Sequence, residues 1–586
     1  MRRKRRLLAW ATLALLLGSC SARRDEPPLD LLIRGGTLVD GTGAAPRRAD
    51  VGVVGDRVVR VGSLEHERAR RTIDATGLVV APGFVDLHSH ADLILLADLA
   101  TQERLLGAKL RQGVTTLVVG NCGLGVAPAS ERAAEILAAV NGWMTPAGVR
   151  AGPLDTGAYL DRLEANGVLL NVATLVPHGP VRISAMGLRP GAPTAAELAT
   201  MLQEVETSLE AGAFGVSVGL IYPPGMYSAT DELVALAAPV AAANRLFTAH
   251  VRGSSETLLD ATRELIEIAR ATGVRAHHSH LEAVGERFWE RIPQVLALED
   301  AARASGLDVS HDVFPYTRAA TMMSAIFPPW SLEGGIDALL GRLADPALRG
   351  RIRREIAERV PVWPPWGEGG WPHNLVEAVG WDGILVASVP EGGESDLVGR
   401  SIEEIASARK CDPFDVVADL MASSHGAVGQ QVAEISGRED DLDALLAILS
   451  HPAAAAISDA EDYGRGAPHP AHAGAFARAL ALGREKKLLP LEALVRRMTG
   501  YPAERLGLPD RGVVREGVFA DLVLFDPATV ADRATWDEPR LAPVGIPFVV
   551  LGGRVVVDEG RDVPGATGHV LRAGSLRLYS RREQGR

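Results

Sequence analysis

The chain has 586 residues, of which 47% are hydrophobic and 23% are charged. This composition is typical of a large globular protein with one extended core, or with a main domain and a satellite, and it excludes a disordered chain. The net charge of -12, with no basic tract beyond the extreme N-terminus, argues against nucleic acid as a partner and favours a small molecule.

The N-terminus carries a predicted export signal. In residues 1–20, a basic start is followed by an apolar run over 7–17 that is too short to span a bilayer as a permanent helix. The run ends in LGSC, which resembles the lipobox of bacterial lipoproteins. This resemblance implies cleavage before Cys20, membrane attachment through the lipidated Cys20 only, and a location on the periplasmic side of the cell envelope, with residues 21–28 as a tether. The alternative is an ordinary secretory peptide with an incidental cysteine.

Short β-rich segments lie near both ends of the mature chain. In 29–80, LLIRGGTLVD and DVGVVGDRVVRVG are separated by glycine and aspartate turns. The same pattern of short β-rich segments recurs in 506–586, in FADLVLFDP and PFVVLGGRVVVDEG. We therefore expect the two ends to form one small β-sandwich domain together.

Between these ends, short β-branched apolar segments alternate with helical ones, which is typical of βα units and a parallel sheet. In one of the helices, the side chains that share a face are Leu258, Ala261, Leu265 and Ile268, and Gly273 can end it. Eight units predict an α/β fold with a TIM-like (β/α)8 barrel over 81–505. The eight predicted strands are 83–87, 115–119, 169–175, 214–218, 246–249, 274–278, 307–313 and 453–457.

One interval, at about 321–451, is too long to be a βα loop. It contains WSLEGG, the helical ALLGRLADPALRGRIRREI and the tryptophan- and proline-rich VPVWPPWGEGGW. We predict an insertion over the mouth of the barrel. This insertion either acts as a lid or has only a structural role.

Residues of the types that bind metals follow several of the predicted strands. The carboxyl ends of barrel strands converge on one site, so these side chains are expected to meet. Any one of them alone has a simpler explanation, because a single histidine or cysteine is more often part of the core. Together they predict a metal site, and they are His88 and His90 after strand 1, Asn121 and Cys122 after strand 2, His250 after strand 5, His280 after strand 6 and Asp459 after strand 8.

The stretch PGFVDLHSH resembles the strand-1 metal motif of the amidohydrolase superfamily. Its members hydrolyse amide-like bonds in metal-containing barrels that carry a satellite β-domain, and most binuclear members add a carboxylated lysine from strand 4. No lysine of this chain falls at a predicted strand end; the lysines are Lys4, Lys109, Lys410, Lys486 and Lys487. A cysteine must therefore replace the strand-4 lysine, or a bridging ligand is missing.

The segment GVTTLVVGNCGLGVAP contains such a cysteine and strongly resembles the N-acyl-D-amino-acid deacylases, or D-aminoacylases. Further matches, from about residue 29 to near the C-terminus, include GAFGVSVGLIYPPGMYS, AHVRG, SHLEA, DVFPYTRAAT and RMTGYPAERLGLPDRGVVREGVFADLVLFDP. The resemblance implies a zinc-dependent hydrolase that cleaves the linear amide bond of N-acyl-D-amino acids or related N-acyl amines. The products would be a carboxylate and a free amine.

The same resemblance implies roles for the candidate metal ligands. The ligands of a tight zinc site would be Cys122, His250 and His280, and those around a weaker second position His88, His90 and Asp459. A thiolate with two imidazoles suits zinc and leaves a fourth position open for water or substrate. Asp459 would accept the proton of that water and donate it to the departing amine. The simpler interpretation of this aspartate is a helix cap or a turn residue.

Two positions depart from the family pattern. Glu282 in SHLEA stands where the family has a lysine that helps to hold the substrate, and Ala471 stands where it has an arginine associated with the substrate carboxylate. Arg252 in HVRG is the first candidate to compensate, because a guanidinium can bind a carboxylate through two hydrogen bonds. Arg318 and Arg465 are further candidates. Alternatively, Glu282 faces a cationic or neutral substrate.

Two tyrosines, Tyr222 in LIYPPG and Tyr316 in VFPY, match pocket tyrosines of the family. The predicted substrate-binding residues are therefore Tyr222, Arg252, Glu282 and Tyr316. Other histidines near strand ends miss the motif and rank below His280; they are His277, His278 and His311.

Two other functions are also considered. A cyclic amidase such as a hydantoinase or dihydroorotase is disfavoured by the missing strand-4 lysine and by the presence of Cys122. A ligand-binding lipoprotein on an inactive scaffold is disfavoured because all six metal-ligand positions of the family pattern are retained.

Overall fold

The computed structural model describes residues 28–365, 370–565 and 567–574. The predicted signal sequence, its lipidation site Cys20 and almost all of the predicted tether lie outside the described residues. Among the helices of the described residues, none is long and apolar enough to cross a membrane.

Eight parallel strands form the predicted barrel. We number them barrel strands 1–8: Phe84–Asp86, Val114–Val119, Asn171–Thr174, Gly215–Gly219, Leu246–His250, Arg275–His278, Val309–Val313 and Ala454–Ala456. Strands 1–3 pair in parallel, and a short continuation of strand 3, Val176–Pro177, pairs with strand 4, from which parallel pairing runs to strand 8. The TIM-like (β/α)8 fold is thereby confirmed.

Side chains join barrel strand 1 to barrel strand 8. The carboxylate of Asp86 accepts hydrogen bonds from the backbone N–H of Ser458 at 3.0 Å and from its hydroxyl at 2.5 Å. The buried ammonium of Lys109 lies 3.2 Å from Asp86 Oδ2, and the backbone N–H of Asp459 donates to the carbonyl of His88 at 3.1 Å. These contacts fix the segment after strand 1 beside the segment after strand 8.

Helices surround the barrel in the order that the sequence predicts. In Leu258–Thr272, the predicted apolar face is buried, and Gly273 ends the helix in the left-handed region with a φ of 70°. The helices outside the insertion are Leu99–Arg111, Glu131–Val140, Thr156–Asn166, His178–Met186, Ala195–Ala211, Thr230–Ala242, Leu258–Thr272, Ile292–Ala304, Asp443–Ser450, Ala471–Glu485, Leu491–Met498 and Gly500–Leu506.

Both ends of the described chain contribute to a β-sandwich. Its first sheet has the strand order Arg57–Gly62, Asp50–Val54, Leu29–Arg34, Ala69–Asp74. Its second sheet has the order Arg561–Asp562, Arg554–Asp558, Phe548–Leu551, Leu522–Phe525, Val79–Pro82, Thr37–Leu38, Arg47–Arg48. One apolar core is shared by the sheets, with Ile33 and Val53 from the first and Leu524 from the second.

The long interval between barrel strands 7 and 8 builds a small antiparallel sheet. Its strands, in spatial order, are Ala319–Met322, Gly429–Val432 and Ile384–Ser388. The helices between them are Ile336–Ala344, Pro346–Glu358, Leu375–Val379, Ile402–Arg409 and Pro413–Ser423. The helix Asp443–Ser450 also falls in the range predicted for the insertion, but it packs on the helix Ile292–Ala304 and on barrel strand 8, so it belongs to the barrel layer.

Candidate metal centre

Six side chains that the sequence predicts as metal ligands meet at the carboxyl ends of the barrel strands. They form three overlapping groups, and within each group the ligand atoms lie within 4.8 Å of one another. The groups are Cys122 with His250 and His280, His88 with His90 and Cys122, and His88 with His280 and Asp459. We call these six residues the metal cluster.

Cys122 and Asp459 lie at the centre of the contacts in the metal cluster. The Cys122 Sγ is 3.1 Å from His88 Nε2 and 3.4 Å from His280 Nε2. The Asp459 Oδ1 is 3.5 Å from His88 Nε2 and 3.4 Å from His90 Nε2. The cluster therefore combines one thiol, four imidazoles and one carboxylate around a common space.

Three residues of the metal cluster have a backbone conformation that L-residues rarely adopt. Their φ angles are +52° for Cys122, +33° for His280 and +47° for Asp459. Each lies a few residues beyond a barrel strand, where the chain turns sharply. Such conformations cost free energy and persist where surrounding contacts over-determine them, which is common at functional sites.

The end of barrel strand 4 leaves no room for a side chain beside the backbone of Cys122. The strand ends in Gly219, and a Cβ atom on it would lie only 1.9 Å from the carbonyl oxygen of Cys122. The backbone that carries Cys122 therefore occupies the space over this strand end. A lysine side chain at Gly219 would therefore clash with that backbone.

A buried aspartate on barrel strand 7 contacts two histidines of the metal cluster. Asp312 accepts a hydrogen bond from the backbone N–H of His280, and its Oδ2 lies 3.5 Å from His88 Nδ1. The same oxygen is 2.8 Å from His277 Nε2. Burial opposes the shift, but His277 and, to a smaller extent, His88 hold the pKa of the Asp312 carboxyl well below its usual range.

The electrostatic field of the cluster favours its ionised ligands. Burial alone would raise the pKa of the Cys122 thiol, but the adjacent His88 and His280 bring that pKa well below its usual range. Burial likewise opposes a lowered pKa of Asp459, yet His88 and a hydrogen bond with His90 lower it. A thiolate and a carboxylate are the forms that bind metal ions.

Two adjoining cavities open onto the cluster. The first, which we call the metal cavity, is bounded by Cys122, His250 and His280 and by an apolar wall of Leu124, Ile221, Val284, Leu375, Val432 and Ile435. The second, which we call the side cavity, is bounded by Ser388, Gln430, Glu461, Tyr463, Arg465 and His469. Both are lined by His90, Trp143, Ala320, Thr321 and Asp459. The antiparallel sheet of the insertion thus forms part of the wall of each cavity.

Two of the predicted substrate-binding residues line the metal cavity. The Tyr222 hydroxyl lies 2.8 Å from Thr321 Oγ1, and burial raises the pKa of this tyrosine well above its usual value, so it stays a neutral donor. Glu282 accepts a hydrogen bond from the Ser254 hydroxyl at 3.3 Å. Burial raises the pKa of Glu282 to about 7, with His280 opposing the shift.

The structure does not place the other two predicted substrate-binding residues at either cavity. Arg252 is fully buried, its Nε lies 2.7 Å from Glu264 Oε2 and one of its terminal nitrogens donates to the carbonyl of Ser228. These groups hold its guanidinium inside the protein, where it lines neither cavity, and its binding of substrate stays a prediction. Tyr316 lines neither cavity: its hydroxyl donates to Asp532 at 3.2 Å, and its ring centre lies 5.2 Å from that of His469, which lines the side cavity. Its contact with substrate stays a prediction.

Two residues near the cluster were not predicted from the sequence. Asp312 stands in the strand segment VSHDV, and nothing in that segment alone distinguishes it from a core polar residue. His373 comes from the insertion and lines the metal cavity, where its Nδ1 accepts a hydrogen bond from the backbone N–H of Ser254 at 3.2 Å. Burial, together with His250, lowers the pKa of His373 to about 3, so this imidazole is neutral.

The donor set of the cluster fits a zinc ion. The buried ring nitrogen Nδ1 of one cluster histidine, His250, has no hydrogen-bond partner among the described residues. Buried imidazole nitrogens without a partner are costly unless a further ligand satisfies them. Thiolate and imidazole together match the preferences of zinc among the common divalent ions.

A parallel eight-stranded barrel with such a cluster at the carboxyl ends of its strands defines the class of metal-dependent barrel hydrolases. The sequence pattern of the amidohydrolase family matches residues 71–354 and 375–557. The chain therefore belongs to the amidohydrolase family, and its full-length relatives place it in the N-acyl-D-amino-acid deacylase branch.

These relatives match over nearly the whole chain. An N-acyl-D-glutamate deacylase of Alcaligenes xylosoxydans xylosoxydans is 35% identical over 91% of this chain and 95% of its own length. A D-aminoacylase of the same organism is 34% identical over 94% of this chain and 99% of its own length. Membership of this branch confirms the resemblance seen in the sequence.

Solved structures agree with the sequence comparison. The N-acyl-D-glutamate deacylase of Bordetella bronchiseptica, complexed with zinc and a phosphonate mimic of the tetrahedral intermediate, has a TM-score of 0.76 and 34% identity, covering 93% of this chain and all of its own. A D-aminoacylase crystal structure has a TM-score of 0.75 and 32% identity with the same coverage. The L-hydantoinase of Arthrobacter aurescens, at 16% identity and a TM-score of 0.51, shares the fold alone.

Proposed function

We propose that this protein is a zinc-dependent deacylase that hydrolyses the linear amide bond of N-acyl-D-amino acids or related N-acyl amines, releasing a carboxylate and a free amine. The observation that carries the proposal is the convergence of Cys122, His250, His280 and Asp459 on one cavity in a chain of the N-acyl-D-amino-acid deacylase branch. A related deacylase of this fold was solved with zinc, and the branch includes a D-aminoacylase with a binuclear metal centre.

The roles within the cluster follow from its contacts. We assign the tight zinc site to Cys122, His250 and His280, and a weaker second position to the space between His88, His90 and Asp459; the donor groups support this division. Bound zinc supplies Lewis-acid chemistry, which polarises the scissile carbonyl and makes water a nucleophile near neutral pH. Side chains of the protein carry out the remaining steps.

Asp459 is the proposed general base and acid. Its carboxylate lines both cavities and its pKa is lowered, so the base form is present at neutral pH. Oδ1 or Oδ2 accepts the proton of the attacking water and then donates it to the nitrogen of the departing amine. The neutral Tyr222 hydroxyl lines the same cavity and can donate a hydrogen bond to the amide oxygen as negative charge develops there.

The test is amine release from N-acetyl and longer N-acyl derivatives of D- and L-amino acids, together with uncharged N-acyl amides, by the zinc-loaded full-length protein. We expect turnover of the D-amino acid derivatives, and a loss of roughly 10²- to 10⁴-fold in kcat for Asp459→Asn with zinc still bound. Equal activity of the aspartate variant would rule out Asp459 as the base. Absence of turnover with every linear substrate would contradict the proposed function.

The proposed location is the periplasmic side of a bacterial envelope, with attachment through a lipid on Cys20. The basic and apolar order of residues 1–20 and the LGSC sequence support this location. Mass spectrometry of the N-terminal peptide isolated from expressing bacteria tests it. We expect a lipid-modified N-terminal cysteine at position 20, absent in Cys20→Ser; an unmodified peptide would leave ordinary secretion as the better description.

A further inference from the structure

We propose that Arg465 binds the carboxylate of the substrate in the side cavity, and this inference rests on the deacylase function proposed above. Arg465 lies in the segment DYGRG, between Asp459 and the helix Ala471–Glu485, and lines the side cavity. The residues that line both cavities include Asp459 and His90, so the side cavity begins at the metal cluster. A ligand at the cluster can therefore extend directly towards Arg465.

The guanidinium of Arg465 is only partly engaged by the protein. One terminal nitrogen donates to the carbonyl of Gly142 at 2.5 Å, which fixes the side chain beside Trp143. Its Nε is buried and has no hydrogen-bond partner among the described residues. Burial also lowers the pKa of Arg465. A buried guanidinium nitrogen without an acceptor is unfavourable, and a bound carboxylate would satisfy it.

The acidic group closest in sequence to Arg465 within the side cavity is engaged through one of its two oxygens, while its Oε2 has no hydrogen-bond partner among the described residues. Glu461 Oε1 accepts a hydrogen bond from the Ser89 hydroxyl at 2.8 Å and lies 3.4 Å from the Lys109 ammonium. Glu461 is thus tied to the contacts that join barrel strands 1 and 8. Among the described residues, no carboxylate forms an ion pair with Arg465, so its charge is available to a ligand.

Arg465 is also the one arginine or lysine among the described residues that line the two cavities. Arg252 is held by Glu264, and the guanidinium of Arg318 stacks on Trp536 at 4.5 Å from the ring centre. The carboxylate of a substrate bound at the metal cluster would therefore form its ion pair with Arg465.

The two cavities then fix the orientation of the substrate. The metal cavity has an apolar wall, in which Leu124, Ile221 and Val432 can contact an acyl group. The side cavity holds Arg465 together with the polar side chains of Ser388 and Gln430, so it suits the amino-acid part. The scissile amide then lies between them, next to Asp459, which lines both.

The experiment compares two substrates that differ only in the carboxylate: N-acetyl-D-leucine and N-acetyl-3-methylbutylamine. With the zinc-loaded full-length protein, we expect Arg465→Ala to lower kcat/KM for the acid by roughly 100-fold, mainly through KM, and to leave the value for the amine derivative within about twofold. Arg465→Lys should restore part of the loss for the acid. Arg318→Ala is the matched control and should leave kcat/KM unchanged for both substrates.

An equal loss with both substrates would mean that Arg465 only supports the loop next to Trp143, and it would overturn the inference. If the amine derivative is turned over too slowly, its inhibition constant serves for the same comparison. Wild-type protein that hydrolyses no N-acyl amino acid would overturn the proposed function itself. Wild-type turnover with an unchanged KM in Arg465→Ala would overturn the role of Arg465 alone.

Discussion

Two groups of buried histidines lie side by side in this barrel, and their surroundings differ. His280 belongs to the metal cluster, with its Nε2 3.4 Å from the Cys122 thiol. His277 and His278, three and two residues earlier in the stretch HHSH, are bound to carboxylates instead. His277 Nε2 lies 2.8 Å from Asp312 Oδ2, and His278 Nδ1 lies 3.1 Å from Glu299 Oε1.

The difference follows from the position of each histidine relative to the end of barrel strand 6. His277 and His278 lie within the strand and pair in register with Ser310 and His311 of barrel strand 7. Their rings therefore meet groups of the neighbouring strand and of the helix layer. His280 lies two residues beyond the strand, where its φ of +33° turns it towards the cluster. In barrel strand 6, the two histidines inside the strand contact carboxylates of the protein, whereas His280 beyond the strand faces the metal cluster.

The largest effect is expected from removing the thiol of the metal cluster. Cys122→Ala should lose most of its bound zinc and roughly 10³- to 10⁴-fold of its activity, because zinc supplies several kcal/mol of transition-state stabilisation. Zinc content is measured by atomic emission after dialysis, and amine release gives the activity. The other described cysteine, Cys411, is free and exposed, so Cys411→Ala is the matched control and should match wild type. Full zinc content in Cys122→Ala would contradict the ligand assignment.

A smaller effect is expected at the residue that connects the two histidine groups. Asp312 contacts His277 in one group and His88 and His280 in the other. Asp312→Asn should weaken zinc binding roughly 10- to 100-fold, which is typical when a group that orients metal ligands is changed. Competition with a chromophoric chelator measures the affinity. Ser310→Ala removes the contact of the Ser310 hydroxyl with His277 and no contact with the metal cluster. This variant should therefore bind zinc with the wild-type affinity.

The carboxylate-paired histidines should affect stability rather than metal binding. Glu299 is fully buried between His278 and His311, and His311 Nδ1 lies 2.6 Å from its Oε2. Glu299→Ala should lower the free energy of unfolding by about 3 kcal/mol, because it leaves buried partners unpaired, while zinc content stays unchanged. Urea denaturation measures the difference. Asp300→Ala, an exposed neighbour on the same helix, should change it by no more than about 0.5 kcal/mol.

The pH dependence of that stability has a definite sign. Burial opposes ionisation of Glu299, but His311 and His278 hold the pKa of its carboxyl well below the usual value in the folded protein. A lowered pKa means that the stabilisation is present above the unfolded pKa of about 4.3. It is lost as the pH falls from there through the folded pKa. The stability difference between wild type and Glu299→Ala should therefore be constant near neutral pH and should narrow only in acid.

The smallest expected effect concerns the side chain of the substrate. The described lining of the two cavities offers one guanidinium, Arg465, and an acidic group at Glu282. A substrate with a second carboxylate would lack a cation for it and would be repelled by Glu282 when that group is ionised. We expect kcat/KM for N-acetyl-D-leucine to exceed that for N-acetyl-D-glutamate by about tenfold or more. A preference for the glutamate derivative would contradict a single carboxylate site.

The sequence predicted the fold closely because alternation of apolar β-branched and helical segments is a local signal. All eight predicted barrel strands are present, and the β-sandwich joins both ends of the described chain. The six residues of the metal cluster were found because each follows a strand within a motif. By contrast, the motif that contains Arg252 does not reveal that its side chain is buried against Glu264, twelve residues further along the chain.

Residues that depend on long-range contacts could not be found in this way. His373 reaches the metal cavity from the insertion, and Asp312 is revealed only by the packing of barrel strand 7 against the segments after strands 1 and 6. The contribution of the insertion to both cavity walls likewise depends on the pairing of Ala319–Met322 with Gly429–Val432, which lie about a hundred residues apart. Local patterns in the sequence contain no information on such pairings.

The most direct test of the metal cluster is X-ray absorption at the zinc edge of the full-length protein loaded with one equivalent of zinc. We predict one sulfur scatterer at about 2.3 Å together with nitrogen or oxygen scatterers at about 2.0–2.1 Å, and the loss of the sulfur signal in Cys122→Ala. A wild-type spectrum with nitrogen and oxygen scatterers alone would contradict the assignment of zinc to Cys122, His250 and His280.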